Sequence, residues 1–435
     1  MLASMLACTK AGRAYIPIEE NTPTERFQLI LDVADPALVL YHDYIDADIS
    51  NVPIKDSAKV SGPEREEYPG LGLDDVYYII FTSGTTGVPK GVQITHRNLL
   101  SFVNWQISDF HLYEQERFLV QATFSFDLSV MSLYPALVTQ STLVPLTKDI
   151  INDFAQLFAV LPKLKLSVWV STPSFMDICL MQPTFDKEHL PTLTHFLFCG
   201  EELTHQTAQK LRERFPDVYL YNTYGPTEST VAISKINITA DILDKYKRLP
   251  IGYVKEDTAV YIMDDDRVLP TNEHGEIVIV GPSVSPGYLH NEEKTKKAFF
   301  SYQGKPAYRT GDIGHLDEED LLHYDGRMDF QVKMHGYRIE LEDVDHYLNQ
   351  TKYVKQATVV PKYKDNKVQQ LIAYVVPTDD YFEKEYQRTK AIKEEMAETV
   401  MDYMIPQRFI YVESLPLTTN GKIDRKGLIT EVNET

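Results

Sequence analysis

Between about residues 36 and 222, short apolar runs rich in Val, Ile, Tyr and Phe alternate with segments of helical period, and this alternation constrains the fold more than any other feature. The runs at 38–41, 76–81, 118–122, 166–170, 196–199 and 218–221 read as strands. Strands separated by helices read as βα units, which build a largely parallel sheet and collect ligands in the loops at its carboxyl ends. From 249 to 324 the pattern changes to short strands broken by turn signals at 264–266, 274–275 and 286–287, a β-rich subdomain. A boundary is expected near 325–329. Beyond it, 356–361 and 370–376 read as strands, and 389–404 reads as a helix with Ile392, Met396, Val400 and Met404 on one buried face. The expectation is an α/β protein with a large multi-subdomain core over 1–328 and a small C-terminal α+β lid domain over 329–435.

Charge narrows the partners. Against 43 Lys and Arg stand 63 Asp and Glu, a net charge of −20, which opposes binding to nucleic acid or to an anionic membrane surface. No run approaches the ~18–20 apolar residues of a membrane span, so no membrane insertion is expected. The start MLASMLACTK lacks the basic region and long apolar core of a signal peptide. Three cysteines, Cys8, Cys179 and Cys199, are too few and too scattered for a disulfide framework or a cysteine zinc site. A reducing, cytoplasmic location is expected.

The strongest local signal is FTSGTTGVPKG over 81–91, directly after a strand. Thr82, Ser83, Gly84, Thr85, Thr86 and Gly87 bring backbone N–H groups and hydroxyls close to phosphate oxygens, and Lys90 adds positive charge. A glycine-rich turn is the alternative, and the run is not a Walker loop because no GK[ST] follows. The run YGPTE at 224–228 also follows a strand. It gathers an aromatic face, a Gly-Pro turn, a hydroxyl and a carboxylate, which suit adenine stacking, an α-phosphate contact and a Mg²⁺ ligand. Asp312 in TGD is a carboxylate able to hold both ribose hydroxyls, and Arg327 after Gly326 is a bidentate donor. Singly, each of these is better explained by a turn or a surface ion pair.

Taken together and in order, these motifs resemble the adenylate-forming superfamily of acyl-CoA synthetases, luciferases and nonribosomal-peptide adenylation domains. The resemblance rests on KAGRAYIPI at 10–18, the phosphate loop, FDLS at 126–129, Gly200-Glu201, YGPTE, TGD at 310–312, GRMDFQVK at 326–333, GYRIE at 336–340 and NGK at 420–422. It implies two half-reactions: a carboxylate attacks the α-phosphate of Mg·ATP to give an acyl-adenylate and pyrophosphate, then a thiol displaces AMP. It further implies ATP contacts from Thr82 to Lys90, from Asn222, Thr223, Tyr224, Gly225, Pro226 and Thr227, from Asp312, and from Tyr324, Asp325, Gly326 and Arg327. Glu228 would be the metal ligand, Lys422 the catalytic lysine that also meets the substrate, and Asp329 the hinge.

Asp127 in FDLS matches the aspartate that the amino-acid-activating members pair with the substrate ammonium; as residues alone, a helix N-cap before the apolar run 128–137 reads equally well. Cys199 falls at the position lining the substrate side chain, with Val231 across from it, and would otherwise read as a small core residue. Asp127, Cys199, Val231 and LTTNGKIDR at 417–425 most resemble the members that load D-alanine onto the phosphopantetheine thiol of a D-alanyl carrier protein, the first step of teichoic acid D-alanylation in Gram-positive bacteria. The family pattern has several dozen residues before the motif starting at Lys10, so the resemblance implies an N-terminally shortened, free-standing ligase. Two alternatives stand beside it: an adenylation enzyme for another small amino acid, and an inactive or binding-only form.

Overall fold

The computed structural model describes residues 1–42, 53–60, 67–83, 88–378, 382, 384–418 and 423–434. The chain divides into two compact units, one of Leu73–Ile80 and Val92–Asp329, the other of Met1–Gly72, Phe81–Gly91 and Phe330–Thr435.

The unit ending at Asp329 holds a seven-stranded sheet in the order Tyr253–Val254, Ser234–Asn237, Tyr219–Tyr224, His195–Phe198, Val168–Ser171, Arg117–Val120, Thr142–Pro145. The last five of these run parallel, and the first two are antiparallel additions at one edge. Trp169, Phe185, Phe196, Phe198 and Phe215 pack together in its core, with Trp169 and Phe185 edge to face. The helix Leu128–Val138 is buried nearly all round. Its backbone and that of a neighbouring strand take two buried side-chain donors, Gln106 Nε2 on the Met131 carbonyl and Ser132 Oγ on the Leu119 carbonyl.

Four of the six expected strands build this sheet, and the other two do not. Val39–Tyr41 pairs in parallel with Ile54–Asp56, and Val76–Thr82 pairs with Lys90–Thr95. So short a connection between Thr82 and Lys90 is hairpin-sized, whereas a parallel crossover needs about a dozen residues or more. The edge strand Thr142–Pro145 escaped the sequence reading because only Val144 is buried and Pro145 removes a ladder donor.

The second sheet of this unit is antiparallel, in the order Arg267–Val268, Ala259–Asp264, Gly275–Val280, Lys305–Leu316, Phe299–Tyr302, with Leu322–Arg327 also paired to Lys305–Leu316. It matches the β-rich subdomain expected over 249–324.

In the other unit, Gln331–Met334 and Tyr337–Glu340 form a hairpin closed by His335 at φ 52° and Gly336 at φ 86°, the two left-handed positions of a type I′ turn. Helix Leu341–Gln350 and the strands Val354–Lys364, Lys367–Pro377 and Arg408–Tyr411 follow. The helix expected over 389–404 runs instead over Glu385–Ala397, and a short 3-10 turn spans Asp402–Met404. Val400 and Met404 still reach the same core as Ile392 and Met396, so burial of those four residues was legible while the helix end was not.

Burial in the parallel sheet carries a pH consequence. His195 is buried with its Nδ1 beside Thr194 Oγ1 at 2.8 Å, and burial, aided by the nearby His111, pushes its pKa down to about 4. As pH falls from the ordinary histidine value of 6.5, the unfolded chain takes a proton that the folded chain refuses until pH reaches about 4. Stability should therefore drop by roughly 3 kcal/mol across that window from this residue. In urea unfolding at pH 7 and pH 4.5, His195→Gln is expected to lose less stability between the two than the parent does.

Candidate functional site

The strand Tyr219–Tyr224 delivers YGPTE at its carboxyl end, where ligands of parallel sheets gather. Asn222 and Thr223 turn their side chains into the fold: Asn222 Nδ2 donates to the Pro250 carbonyl at 2.8 Å and Thr223 Oγ1 to the Phe198 carbonyl at 2.8 Å. Gly225 is needed here because a Cβ would stand 2.5 Å from the Ala232 Cα. Pro226 and Thr227 are half-buried, and Glu228 is completely buried with Oε1 accepting from the Tyr288 hydroxyl at 2.8 Å.

Tyr224 is tied to the second sheet. Its hydroxyl donates to Asp312 Oδ2 at 2.5 Å, and Arg327 Nη1 donates to Asp312 Oδ1 at 2.6 Å. Burial, with the charge of Asp312 next to it, raises the Tyr224 phenol well above its ordinary value, so it remains a donor. Arg327 also forks onto Asp329, Nε to Oδ1 at 2.6 Å and Nη2 to Oδ2 at 2.7 Å. A carboxylate offers about four lone-pair sites, so each oxygen of Asp312 retains acceptor capacity toward a pair of hydroxyls. Tyr324 lies with its ring centroid 6.3 Å from that of Tyr224, and Arg248 sits over its ring at 5.3 Å. Asp325, next in the strand, faces the other way and accepts from His274 and His315, and the register shift between Ile313 and Gly314 returns Arg327 to the face of Tyr324 and Asp312. The structure therefore brings Tyr224, Asp312, Tyr324, Arg327 and Asp329 together and separates Asp325 from them.

Asp127 occupies the N-cap position of Leu128–Val138, yet its carboxylate makes no capping hydrogen bond to that helix, and it is buried. The cap reading thus lacks its defining contact. Cys199 is buried at the end of the strand His195–Phe198, with Sγ 3.6 Å from the Val231 carbonyl oxygen. Thr230 and Val231 both hold left-handed backbone, φ 62° and 68°, an uncommon state for β-branched residues and one that concentrates at functional sites. The Thr230 hydroxyl anchors that turn by donating to the Ser283 carbonyl at 2.7 Å.

In the other unit, Gly84 to Gly87 and Lys422 lie outside the described residues. On either side of the glycine run, Ser83 Oγ donates to the Arg338 carbonyl at 2.9 Å, and the buried Lys90 Nζ meets Glu340 Oε1 at 3.1 Å. Thr82 Oγ1 is buried with no hydrogen-bond partner among the described residues, an orphaned hydroxyl at the mouth of the expected phosphate loop. Glu340, Tyr288 and Thr230 are site neighbours that the sequence reading did not single out. A carboxylate at the end of the GYRIE run was the available signal for Glu340; nothing local marked the other two.

The Asp312 cluster yields a stability prediction. Arg327→Leu leaves a buried carboxylate without its cation and is expected to cost about 3–5 kcal/mol. Tyr224→Phe removes one neutral donor and should cost less, about 1–3 kcal/mol. Denaturant unfolding of the two variants checks the order, which reverses if the carboxylate depends chiefly on the phenol.

Comparison with known proteins identifies the family. Residues 1–289 match the AMP-binding enzyme family and residues 343–422 the AMP-binding enzyme C-terminal domain. The D-alanine–D-alanyl carrier protein ligase of Lactiplantibacillus plantarum is 54% identical over 441 residues, covering 100% of this chain and 87% of that protein. The ligase of the same name from Streptococcus agalactiae is 53% identical over 446 residues, with the same coverage of 100% and 87%. A solved adenylation domain of Vibrio cholerae in complex with glycyl-adenosine-5′-phosphate superposes with a TM-score of 0.83 at 23% identity, covering 100% of this chain and 86% of that one, which speaks to the fold. On these matches and on its motifs, the chain belongs to the AMP-binding enzymes, the adenylate-forming superfamily.

Proposed function

We propose that this chain is a ligase that activates D-alanine with ATP and passes it to a D-alanyl carrier protein. The observation that carries the reading is the likeness over its whole length, at 54% identity, to a D-alanine–D-alanyl carrier protein ligase. The substrate carboxylate oxygen attacks the α-phosphorus of ATP, and the bond to the leaving pyrophosphate breaks. The phosphopantetheine thiol of the carrier then attacks the alanyl carbonyl, the bond to AMP breaks, and a thioester remains. ATP and the carrier are both met on the cytoplasmic side.

The roles follow from chemistry. Asp312, oriented by Tyr224 and Arg327, takes the ribose hydroxyls, while Tyr224 and Tyr324 flank the nucleoside. Thr82, Ser83 and Lys90, with the glycine run they bracket, hold phosphate oxygens. Magnesium usually takes one or two carboxylates together with substrate phosphates and waters, and the single buried carboxylate of Glu228, steadied by Tyr288, fits such a ligand. When bound, the ion neutralises charge on the phosphate oxygens. Lys422 supplies positive charge where it develops between carboxylate and phosphate. Asp329, the last residue of its unit, is the hinge position.

Asp127 pairs with the substrate ammonium, and Cys199 with Val231 bounds the methyl. One methylene is worth only ~1–3 kcal/mol of discrimination, so the hand of alanine is selected by a clash rather than by area. Pyrophosphate exchange with D-alanine, L-alanine, glycine and D-serine, followed by AMP release on adding the phosphopantetheinylated carrier, tests the whole reading. Exchange that prefers another amino acid, or none at all, overturns it.

Two substitutions test the assignments. Asp127→Ala is expected to raise the D-alanine KM on the order of 100-fold or more, because it leaves a buried ammonium unpaired, while the ATP KM changes little. Equal effects on both would return Asp127 to a structural role. Cys199→Ala should raise kcat/KM for L-alanine about 10-fold or more and change D-alanine much less. An unaltered D-to-L ratio would remove Cys199 as the selector.

A further inference from the structure

Three histidines lie in a row across adjacent strands of the antiparallel sheet. Gly275 pairs with Gly314, which sets His274 beside His315, and His315 pairs directly with His323. Asp325, two residues beyond His323, shares that face. Tyr324 between them points to the opposite face, toward Tyr224. Gly314 permits the close approach, since a Cβ there would meet the His323 carbonyl oxygen at 2.3 Å.

The side chains converge on one point. His274 Nδ1 is 2.7 Å and His315 Nδ1 is 2.9 Å from the same Asp325 Oδ2, and the two imidazole centroids are 4.4 Å apart. One ligand atom from each of the three residues falls within a 4.8 Å group. His323 stacks on His315 at 4.6 Å and turns its Nε2 to Asp317 Oδ2 at 3.2 Å, so it packs behind the group and does not enter it. His274 is exposed, and His315 and Asp325 are half-buried, which leaves the group open to solvent on one side.

We propose that His274, His315 and Asp325 form a binding site for a divalent transition ion of the zinc class, on the sheet face opposite the nucleoside residues. Two imidazoles and a carboxylate select borderline ions such as Zn²⁺, Ni²⁺ or Cu²⁺ over Mg²⁺ and Ca²⁺, which prefer all-oxygen shells. Bond lengths of about 2.0–2.2 Å in a tetrahedral shell put neighbouring ligand atoms roughly 3.4 Å apart. The present N···O separations of 2.7 and 2.9 Å therefore open by about 0.5–0.7 Å as the ion enters. Strands Lys305–Leu316 and Leu322–Arg327 fix His315 and Asp325, and the adjustment falls to His274 on the turn before Gly275–Val280. Water completes the shell. The bound ion clips that turn to two strands, one of which carries Tyr324 and Arg327 on its other face.

The test uses the full chain freed of metal by EDTA and dialysis, titrated calorimetrically with ZnCl₂ without nucleotide. The parent is expected to bind one equivalent that excess Mg²⁺ does not displace. His274→Gln and His315→Gln should each weaken Zn²⁺ binding at least ~10-fold. His189→Gln, which breaks a different surface His–Asp pair at 2.8 Å, should bind like the parent. Zn²⁺ should also raise the unfolding midpoint of the parent and not of the two cluster variants, since an ion bound only to the folded state stabilises it. No saturable binding by the parent, undiminished binding by both cluster variants, or equal loss in His189→Gln overturns the proposal. Unfolding midpoints of the metal-free variants near that of the parent verify that they fold.

Discussion

The buried carboxylate of Asp312 is the contact on which the joining of the parallel and antiparallel sheets turns. It lies on one sheet, is met by a phenol from the end of the other, and is held by an arginine that also grips Asp329 at the limit of the unit. A desolvated carboxylate is costly unless paired and hydrogen-bonded, so Tyr224, Arg327 and Asp329 hold positions that local propensity would not choose. The YGPTE loop, the TGD turn and the segment leading to Asp329 are thereby coupled through one charge. The two donors fix the orientation of the carboxylate, one on each oxygen, without exhausting its lone pairs.

What was readable in the sequence was whatever repeats with a short period or recurs as a motif. The parallel strands showed because both faces are buried, giving unbroken apolar runs such as FLF at 196–198. The ordering of the motifs pointed to the superfamily because phosphate, ribose and metal chemistry each need particular residue types. Harder to read were contacts made at long range. Nothing near Glu228 announces Tyr288, and Asp325 reads as part of a nucleotide run until the strand register turns it toward two histidines. The C-terminal helix end was hidden for a related reason: Val400 and Met404 are drawn into the core by tertiary burial, which does not require them to stay helical.

Backbone strain at residues 230 and 231 has a similar origin. Two successive β-branched residues in left-handed conformation are costly, on the order of 1–3 kcal/mol each, and persist only where surroundings over-determine them. Here the determinants are visible: the Thr230 hydroxyl on Ser283, the close passage of Gly225 past Ala232, and the Val231 carbonyl against Cys199. The left-handed turn brings the Val231 carbonyl oxygen to 3.6 Å from the Cys199 Sγ.

The other unit handles charge differently. Lys90 is buried with Glu340, and Arg338 approaches the same oxygen at 3.4 Å, so two cations share one carboxylate near the glycine run. An ammonium has three donors, and Glu340 takes one of them at 3.1 Å. The second cation beside the same carboxylate belongs to the hairpin Gln331–Glu340 itself, so this corner compensates its charges within one short stretch of chain. Removing Glu340 would take this partner from a buried ammonium, a change that costs about 3–5 kcal/mol where a buried pair is broken. Glu340 thus holds the lysine of the FTSGTTGVPKG run by a contact across some 250 residues of sequence, which ties the end of that run to the hairpin Gln331–Glu340.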